Sequence, residues 1–571
     1  RGTVTDQDDT AWAAFSSLEA VDTVYDLMDR KLKETKSGGG TAYAVTQYSY
    51  DALGRLECTA IRMNPAIYGS LPTSACTLGT QGSFGPDRIT KNVYDAAGQR
   101  TKLQLAYGTA DQADEETSTY TNNGKLATIT DAENNRTTLE YDGHDRLSKT
   151  RYPVATQGAL TSSTTDYEQL TYDANGNVTQ RRLRDGQLIG STFDALNRVS
   201  LKDLPSPETD VSYTYDLQGR LLSATQATTV TQAYDGLGRM ASETTPQGAM
   251  SYQYDAAGRR TLTTWPDGAV TTYTYDVTGA MAGIYEGAGT SVWMNEYVYD
   301  NLGRRTALNR RYGASTFYSY DPVSRLSSFS HDLPGSSGDI TIGSFAYNPA
   351  SQITSLTRSN DAYAWGGHYN VNRNYGVNGL NQATSAGATS LGYDGRGNLT
   401  SSGANAYAYS SENLLKTGPG GVTLTYDPLG RLYEVTNGST TTRFQYDGTE
   451  IAAEYDGSNA RLRRYVPGPG TDEPAFWYEG SGIGPARWYH TDERGSVVAL
   501  SNQTSVVAIN AYDEFGIPAA GNIGHLGYTG QAWLPELGMW YYKARIYSPT
   551  LGRFLQTDPI GTADDMNLYA Y

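Results

Sequence analysis

Long apolar runs are missing from this sequence. No stretch of about 18 hydrophobic residues occurs, so no membrane-spanning helix is expected. Clusters of basic residues are missing too. Lys and Arg total 44 against 61 Asp and Glu, giving a formal net charge of −17 and an isoelectric point near 4.8. A protein that tracks phosphates needs gathered Lys and Arg. Here the arginines are scattered, about one per repeat, which argues against nucleic acid as a partner. The five histidines, His144, His331, His368, His490 and His525, are too widely spaced for a zinc site. A Gly-X-Ser-X-Gly elbow and a phosphate-binding glycine loop are both absent, so no cofactor and no metal is expected. His490 in "WYHTDERGSV" reads as a hydrogen-bonding residue of a core. The chain opens at Arg1 with no signal-peptide pattern, so it reads as an excerpt and its targeting is left open.

Cysteine is nearly absent as well: Cys58 and Cys76 are the whole complement. A pair this close in sequence suits a disulfide in an exported protein, with two unpaired thiols as the alternative. If bridged, the loop between them would contribute about 3 kcal/mol by chain entropy.

Aliphatic residues are also scarce. Hydrophobic residues make up 38% of the chain and the mean hydropathy is −0.53, which is thin for a close-packed globule of 571 residues. Yet charged residues reach just 18% and aromatics 11%, a poor match to disorder. Tyrosine reconciles the two, with 46 Tyr against 10 Phe. It buries a ring while keeping its hydroxyl wet, so it suits a sheet with water on both faces.

The tyrosines fall in a repeat. One form is Tyr-Asp-X-X-Gly-Arg-Leu, seen as "YDALGRL" at 50, "YDLQGRL" at 215, "YDGLGRM" at 234, "YDAAGRR" at 254, "YDNLGRR" at 299 and "YDPLGRL" at 426. Looser copies stand at 94, 141, 172, 193, 275, 320, 347, 393 and 409. Between 193 and 275 the copies recur every 19 to 22 residues. Alternating segments such as "VSYTYD" have the period of a strand. Asp-X-X-Gly then supplies a turn, with Asp accepting a backbone bond and Gly taking positive φ. Arg-Leu begins the return strand, and a second turn such as "PQG" at 246 or "PDG" at 266 leads to the next copy. Each repeat is therefore a hairpin that needs its neighbours, and the fold class is all-β. One carboxylate per turn is too few for calcium. The repeat arginine is expected to stack on, or pair with, a neighbouring Tyr or Asp.

These copies resemble the YD repeats of the rearrangement-hotspot (Rhs) family, which includes the C subunits of insecticidal Tc toxins and the teneurins. The resemblance covers roughly residues 42 to 571. It implies a long sheet spiralling into a hollow shell that, in bacterial members, encloses a C-terminal toxin. From about 440 the phrases "YDGTEIAAEYDG", "WYHTDERGSVVAL", "GYTGQAWLPELGMWYYKARIYSPTLGRFLQTDPIG" and "NLYAY" resemble the family's repeat-associated core domain. The expected division is an N-terminal helical segment at 1–40, a YD-repeat β-shell at 41–440 and the core domain at 441–571.

In the family, two Asp-Pro-X-Gly motifs resemble the halves of an aspartyl-protease-like site that cuts the chain and frees the toxin. The first motif falls on Asp558, Pro559, Ile560 and Gly561; the second would fall after Tyr571. Asp558 is thus the candidate catalytic residue, with Pro559 and Gly561 shaping its turn. Arg553 and Arg545 are candidates to pair with its carboxylate. A plain turn is the alternative, and Asp564 and Asp565 are weaker stand-ins. The resemblance implies the toxin domain and a secretion or delivery machinery as partners, and a secreted or cell-surface location. A different class of function also fits the composition, an adhesion module using Trp365, Trp477 and Trp488 as platforms for a surface glycan. At the N-terminus, Trp12, Phe15, Leu18, Val21, Tyr25, Met28 and Leu32 recur at helical spacing, capped by Asp9 or Thr10 and stopped by the glycines at 38–40. That predicts a helix packed on the sheet or its mouth.

Overall fold

The computed structural model describes residues 18–368, 373–563 and 565–571. They form an antiparallel meander of 28 strands from Glu19–Tyr25 to Ile353–Arg358. Sheets of 5, 11 and 4 strands follow, over 375–406, 408–509 and 532–554. Each strand pairs with its neighbour in sequence, so every connection in a sheet is a hairpin. None of the helices among the described residues is long and apolar enough to cross a membrane.

The unit is well shown by the copy at Tyr234. Asp235 accepts bonds at Oδ1 from the backbone N–H of Leu237 (2.9 Å) and Arg239 (3.0 Å), while Gly238 closes the turn at φ 84°. The register shifts by one residue just before Tyr234, the bulge that accompanies a left-handed residue in such a hairpin. Arg239 donates from Nε to Asp235 Oδ2 (2.7 Å) and from Nη1 to the carbonyl of Asp255 in the following copy (2.8 Å). Its guanidinium lies 4.7 Å over the ring of Tyr254, whose hydroxyl donates back to Met240 O (2.8 Å). Each copy is thereby fastened to the next. The same rung recurs at Arg55–Tyr94, Arg146–Tyr172, Arg220–Tyr234, Arg304–Tyr320 and Arg431–Tyr446. The arginine bonds hold Asp142 and Asp235 below the ordinary carboxylate range.

The N-terminal helix is not there where the chain is described. Glu19–Tyr25 and Lys31–Gly38 are paired strands, and the turn between them is another copy of the repeat, "YDLMDR". Asp29 takes the glycine position at φ 58°, which Asp tolerates better than most residues. The helical spacing of Val21, Tyr25, Met28 and Leu32 is incidental to two short strands and a turn. Trp12, Phe15 and the caps Asp9 and Thr10 lie outside the described residues.

The sheet winds on itself. Ser324 bonds Glu19 (2.5 Å), Gly379 N donates to Ala155 O (2.9 Å), and Ser411 donates to Glu208 (2.7 Å). Further on, Arg431 pairs with Glu243 (2.8 Å) and His331 bonds Thr491 O (3.1 Å). The partners of Ser324, Ser411 and His331 are 305, 203 and 160 residues away in sequence, so each coil is shorter than the last. At the contacts made by the turns at 321–324, 394–397 and 410–413, a repeat turn of the later coil (Tyr-Asp in the first two, Tyr-Ser in the third) rests on the edge of the earlier coil that carries the second turn of each repeat. Val323, in such a docked turn, is fully buried, whereas Leu53, Leu196 and Leu237 at the same position of undocked turns are largely exposed.

Burial follows the winding. Before about residue 200 the main apolar cluster is small, built from Cys58, Ala60, Ala75 and Ile89. The sheet there is wet on both faces. From Met250 onward one face is covered: Tyr252, Trp265, Tyr273, Ile284 and Tyr297 pack on Val466, Phe476, Tyr478 and Trp488 of the 11-stranded sheet. Cys58 and Cys76 are joined by a disulfide, 18 residues apart, at the base of a loop that a buried Arg62–Asp87 pair (2.6 Å) also pins.

Two outcomes are expected. Arg239→Ala removes one rung and should weaken the hairpins on either side by about 1–2 kcal/mol. Amide exchange should accelerate at 230–254 and stay unchanged in distant copies; a uniform acceleration would mean that the rungs are not local. Reduction of the disulfide should destabilise the 62–87 loop by about 3 kcal/mol, read as faster proteolysis inside it with the other coils intact.

Candidate functional site

The last of the sheets is a short meander of Ala532–Leu534, Met539–Tyr542, Arg545–Ser548 and Arg553–Phe554. Leu555 O accepts a bond from Leu399 N (2.8 Å), tying its end to a YD turn of the inner coil. Asp558 follows three residues later. Its Oδ1 accepts from Ile560 N (2.9 Å), its carbonyl accepts from Gly561 N (3.1 Å), and Gly561 has φ 67°. Asp558-Pro559-Ile560-Gly561 is therefore a genuine tight turn, with Pro559 at the position where its fixed φ fits.

The carboxylate does more than cap that turn. Oδ2 lies 2.7 Å from Arg545 Nη2, with both side chains largely shielded from water. Arg545 stacks on Phe554 at 3.8 Å and reaches Leu568 O at 3.4 Å, while Asp558 N donates to the same carbonyl at 2.9 Å. Arg545 thus clamps Asp558 and the returning segment together. Arg553, the other candidate, turns away: it donates to Asn381 O (2.8 Å) and lies 4.9 Å over Tyr569. Its local neighbour on the strand is what sends it there, because successive strand residues face opposite sides. Asp565 caps its own turn through Asn567 N (2.6 Å), and Asp564 lies outside the described residues.

The segment after Asp558 is held at two tyrosines. Tyr569 is buried, donates to Gly397 O (2.6 Å) and accepts from Gln382 (3.2 Å). Tyr571 sits against Tyr542, Tyr547, Phe554 and Tyr528, with its hydroxyl 3.0 Å from that of Tyr542. Each oxygen of Asp558 keeps a lone pair beyond the bond it already accepts, so the carboxylate can still take a proton or orient water. Among the described residues no group of three or more His, Cys, Asp or Glu could hold a metal ion.

The tryptophans named as glycan platforms are corrected by their burial. Trp477 and Trp488 are about 1% exposed or less, inside the packed layers, and offer no surface to a sugar. Their clustering in apolar strands, "PAFWYE" and "ARWYHT", marks a two-sided core. Trp365 is partly exposed, on the segment before 369.

Sequence reading passed over Asp492. It is buried in the turn of "HTDERGS", where Oδ1 accepts from Arg494 N (2.9 Å) and Ser496 N (2.8 Å). Burial, with some repulsion from Glu493, pushes its carboxyl up to about 6. Nothing in the sequence separates it from the repeat aspartates, because the difference is burial by a later coil.

Comparison with known proteins agrees with this architecture. The teneurin YD-shell model matches residues 204–295 and the RHS repeat model matches residues 120–157. The chain is 28% identical over 253 residues to the tRNA3(Ser)-specific nuclease WapA of Bacillus spizizenii, a match spanning 41% of this chain and 10% of that protein. It is 38% identical over 89 residues to YibJ of Escherichia coli K12, 14% of this chain and 38% of that protein. The solved TcdB2-TccC3 lacking its hypervariable C-terminal region is 15% identical, with a TM-score of 0.49, covering 97% of this chain and 35% of that one. Rungs, meander and matched repeats define an all-β YD-repeat protein. Over these stretches the chain is similar to the teneurin YD-shell and RHS repeat families.

Asp492 gives a pH prediction. Because its folded value lies above the ordinary value near 4, the folded state keeps a proton that the unfolded chain has lost. Stability should therefore fall as pH rises from about 4 to about 6 and level off above. Asp492→Asn keeps the Oδ1 acceptor and should remove that decline, gaining on the order of 2 kcal/mol at pH 7 and little at pH 4. Denaturant midpoints at the two pH values measure it; an equal gain at both would mean that charge is not the cause.

Proposed function

We propose that this sheet is the wall of a container for a toxin carried C-terminal to it, and that Asp558 is one carboxylate of a self-cleaving, aspartyl-protease-like site. The observation that carries the reading is the clamp at Arg545. A mere turn would need the Oδ1 bond to Ile560 N alone, whereas Asp558 is also ion-paired, shielded and tied to the chain that returns to Tyr571. The WapA relative, named as a nuclease, supports the toxin half of the proposal.

The chemistry would need a second carboxylate, supplied by the second Asp-Pro-X-Gly motif of the family. One carboxylate takes a proton from water as it adds to the scissile carbonyl; the other donates a proton to the leaving amine. The products are a new C-terminal carboxylate on the wall and a free amine on the toxin. The Tyr569 and Tyr571 contacts would keep the new end of the wall in place. Two coils in contact through their turns would keep the cargo enclosed until a secretion or delivery machinery opens them. A secreted or cell-surface location fits both the disulfide and that role.

Intact mass of the protein expressed from its complete gene tests the proposal. The natural chain should split a short distance beyond Tyr571, and Asp558→Asn should stay whole. Arg545→Met should slow the cut by about 10²-fold, the usual effect of losing position without losing the reacting group. If the natural chain stays whole, self-cleavage is wrong; if Asp558→Asn also splits, the site lies elsewhere.

A further inference from the structure

A set of buried polar side chains lies where the outer coil meets the 11-stranded sheet. Asn295 and Arg310 face each other across one strand pair, and Thr316 and His331 across another close by. Trp488 and His490 come from the inner strand Ala486–Thr491. All six are at most 3% exposed. The imidazoles of His331 and His490 meet edge-on, 5.3 Å apart.

Part of the set is fully satisfied. Arg310 Nη1 donates to Thr316 Oγ1 (2.8 Å), Thr316 Oγ1 bonds His331 Nδ1 (2.9 Å), and His331 Nε2 bonds Thr491 O (3.1 Å). A carbonyl only accepts, so Nε2 carries the proton and Nδ1 accepts from the threonine. The histidine is neutral in this chain of bonds, and burial pushes it down to about 3.

The remainder is out of balance. Burial pushes Arg310 down to about 10, so it stays a cation at neutral pH, and it has no carboxylate partner among the described residues. The neighbouring Arg305 is already matched to Glu473 (2.5 Å). Arg310 Nε, Trp488 Nε1, both amide atoms of Asn295 and His490 Nδ1 are buried without a protein partner. Of these five atoms, three are obligate donors. His490 Nδ1 becomes a fourth when Nε2 accepts from Ser501 Oγ (2.9 Å). A lone buried charge is costly, and an excess of donors around a cation favours an anion over water. Tyr297, Leu308 and Phe476, buried in the same layer, make the surroundings apolar, so an ion bound there would be held by these donors rather than by water.

We propose that Arg310, Asn295, Trp488 and His490 form a binding site for a monovalent halide, chloride in most media. Arg310 and Asn295 come from the outer coil, Trp488 and His490 from the inner sheet, so the ion would rivet the two layers. This is independent of whether the chain cleaves itself.

Thermal unfolding in sodium chloride and in sodium gluconate at equal ionic strength tests it. The natural protein should show a saturating rise in Tm of a few degrees with chloride. Arg310→Met should lose that rise. Should Arg310→Met fail to fold, Trp488→Phe, which keeps an aromatic ring but not the N–H, should need about 10-fold more chloride for the same shift. Crystals grown in bromide should show an anomalous peak within hydrogen-bonding distance of Arg310. Equal Tm in the two salts, a chloride effect undiminished in the variants, or no bromide peak beside Arg310 would each overturn the site.

Discussion

The fold depends on one contact: an arginine that grips its own turn's aspartate and lies over the tyrosine of the next copy. The aspartate shapes the turn, the arginine reads that shape, and the tyrosine hydroxyl returns a bond to the start of the previous return strand. At Arg239 these are Asp235, Tyr254 and Met240 O. No single member is strong, since half-exposed ion pairs and cation–π contacts each contribute about 1 kcal/mol or less. The arrangement matters because it is repeated and directional. It fixes the spacing of hairpins along one edge of the sheet, so the sheet can be long with little core behind it. That explains how the chain can hold ordered strands before residue 200, where little of either face is buried.

The same contact explains how the coils meet. A rung leaves the tips of the Tyr-Asp turns facing outward, and those tips are the surfaces that later coils set down on earlier ones. Val323 is buried and Leu237 exposed at the same place in the repeat, because one turn has a coil beneath it and the other has none. The shortening of the coils then brings the 11-stranded sheet under the outer strands from Met250 onward. Charges that would be isolated in the layer between are mostly paired across it: Arg260 with Asp447, Arg464 with Asp267, Arg431 with Glu243. Arg310 stands out against that pattern.

Much of the fold was legible in the sequence, because the repeat states its own structure: alternation for strands, Asp-X-X-Gly for turns, spacing for the meander. The copy at Tyr25 escaped because Asp29 stands where glycine is expected and the apolar spacing around it imitates a helix. The burial of Trp477 and Trp488 escaped because strand alternation tells which face a residue is on, not what lies across from it. Of the candidate site, the turn at Asp558 could be read directly. The choice of Arg545 over Arg553 could not, since both are near in sequence and only the short meander places one beside Asp558 and the other beside Tyr569.

Position along the coil also sets what each region can do. A quasi-one-dimensional sheet has local stability that follows local packing. The outer strands are held mostly by rungs, with one small cluster and a disulfide-closed loop, the later ones by rungs and a core, and the last meander by aromatic packing around Trp540, Tyr547 and Phe554. Stability therefore rises toward the C-terminal end, where Asp558 sits. A site that must hold a carboxylate and a returning chain in fixed register needs the stiffest surroundings the molecule has. Opening, if the wall is to release anything, calls for the opposite. The described coil contacts at the far end, such as Ser324 with Glu19, Gly38 against Pro322 and the buried Val323, involve single turns rather than the packed layer found from Met250 onward. The winding thus separates the two demands, rigidity at the candidate site and ease of parting at the far end, along a single sheet.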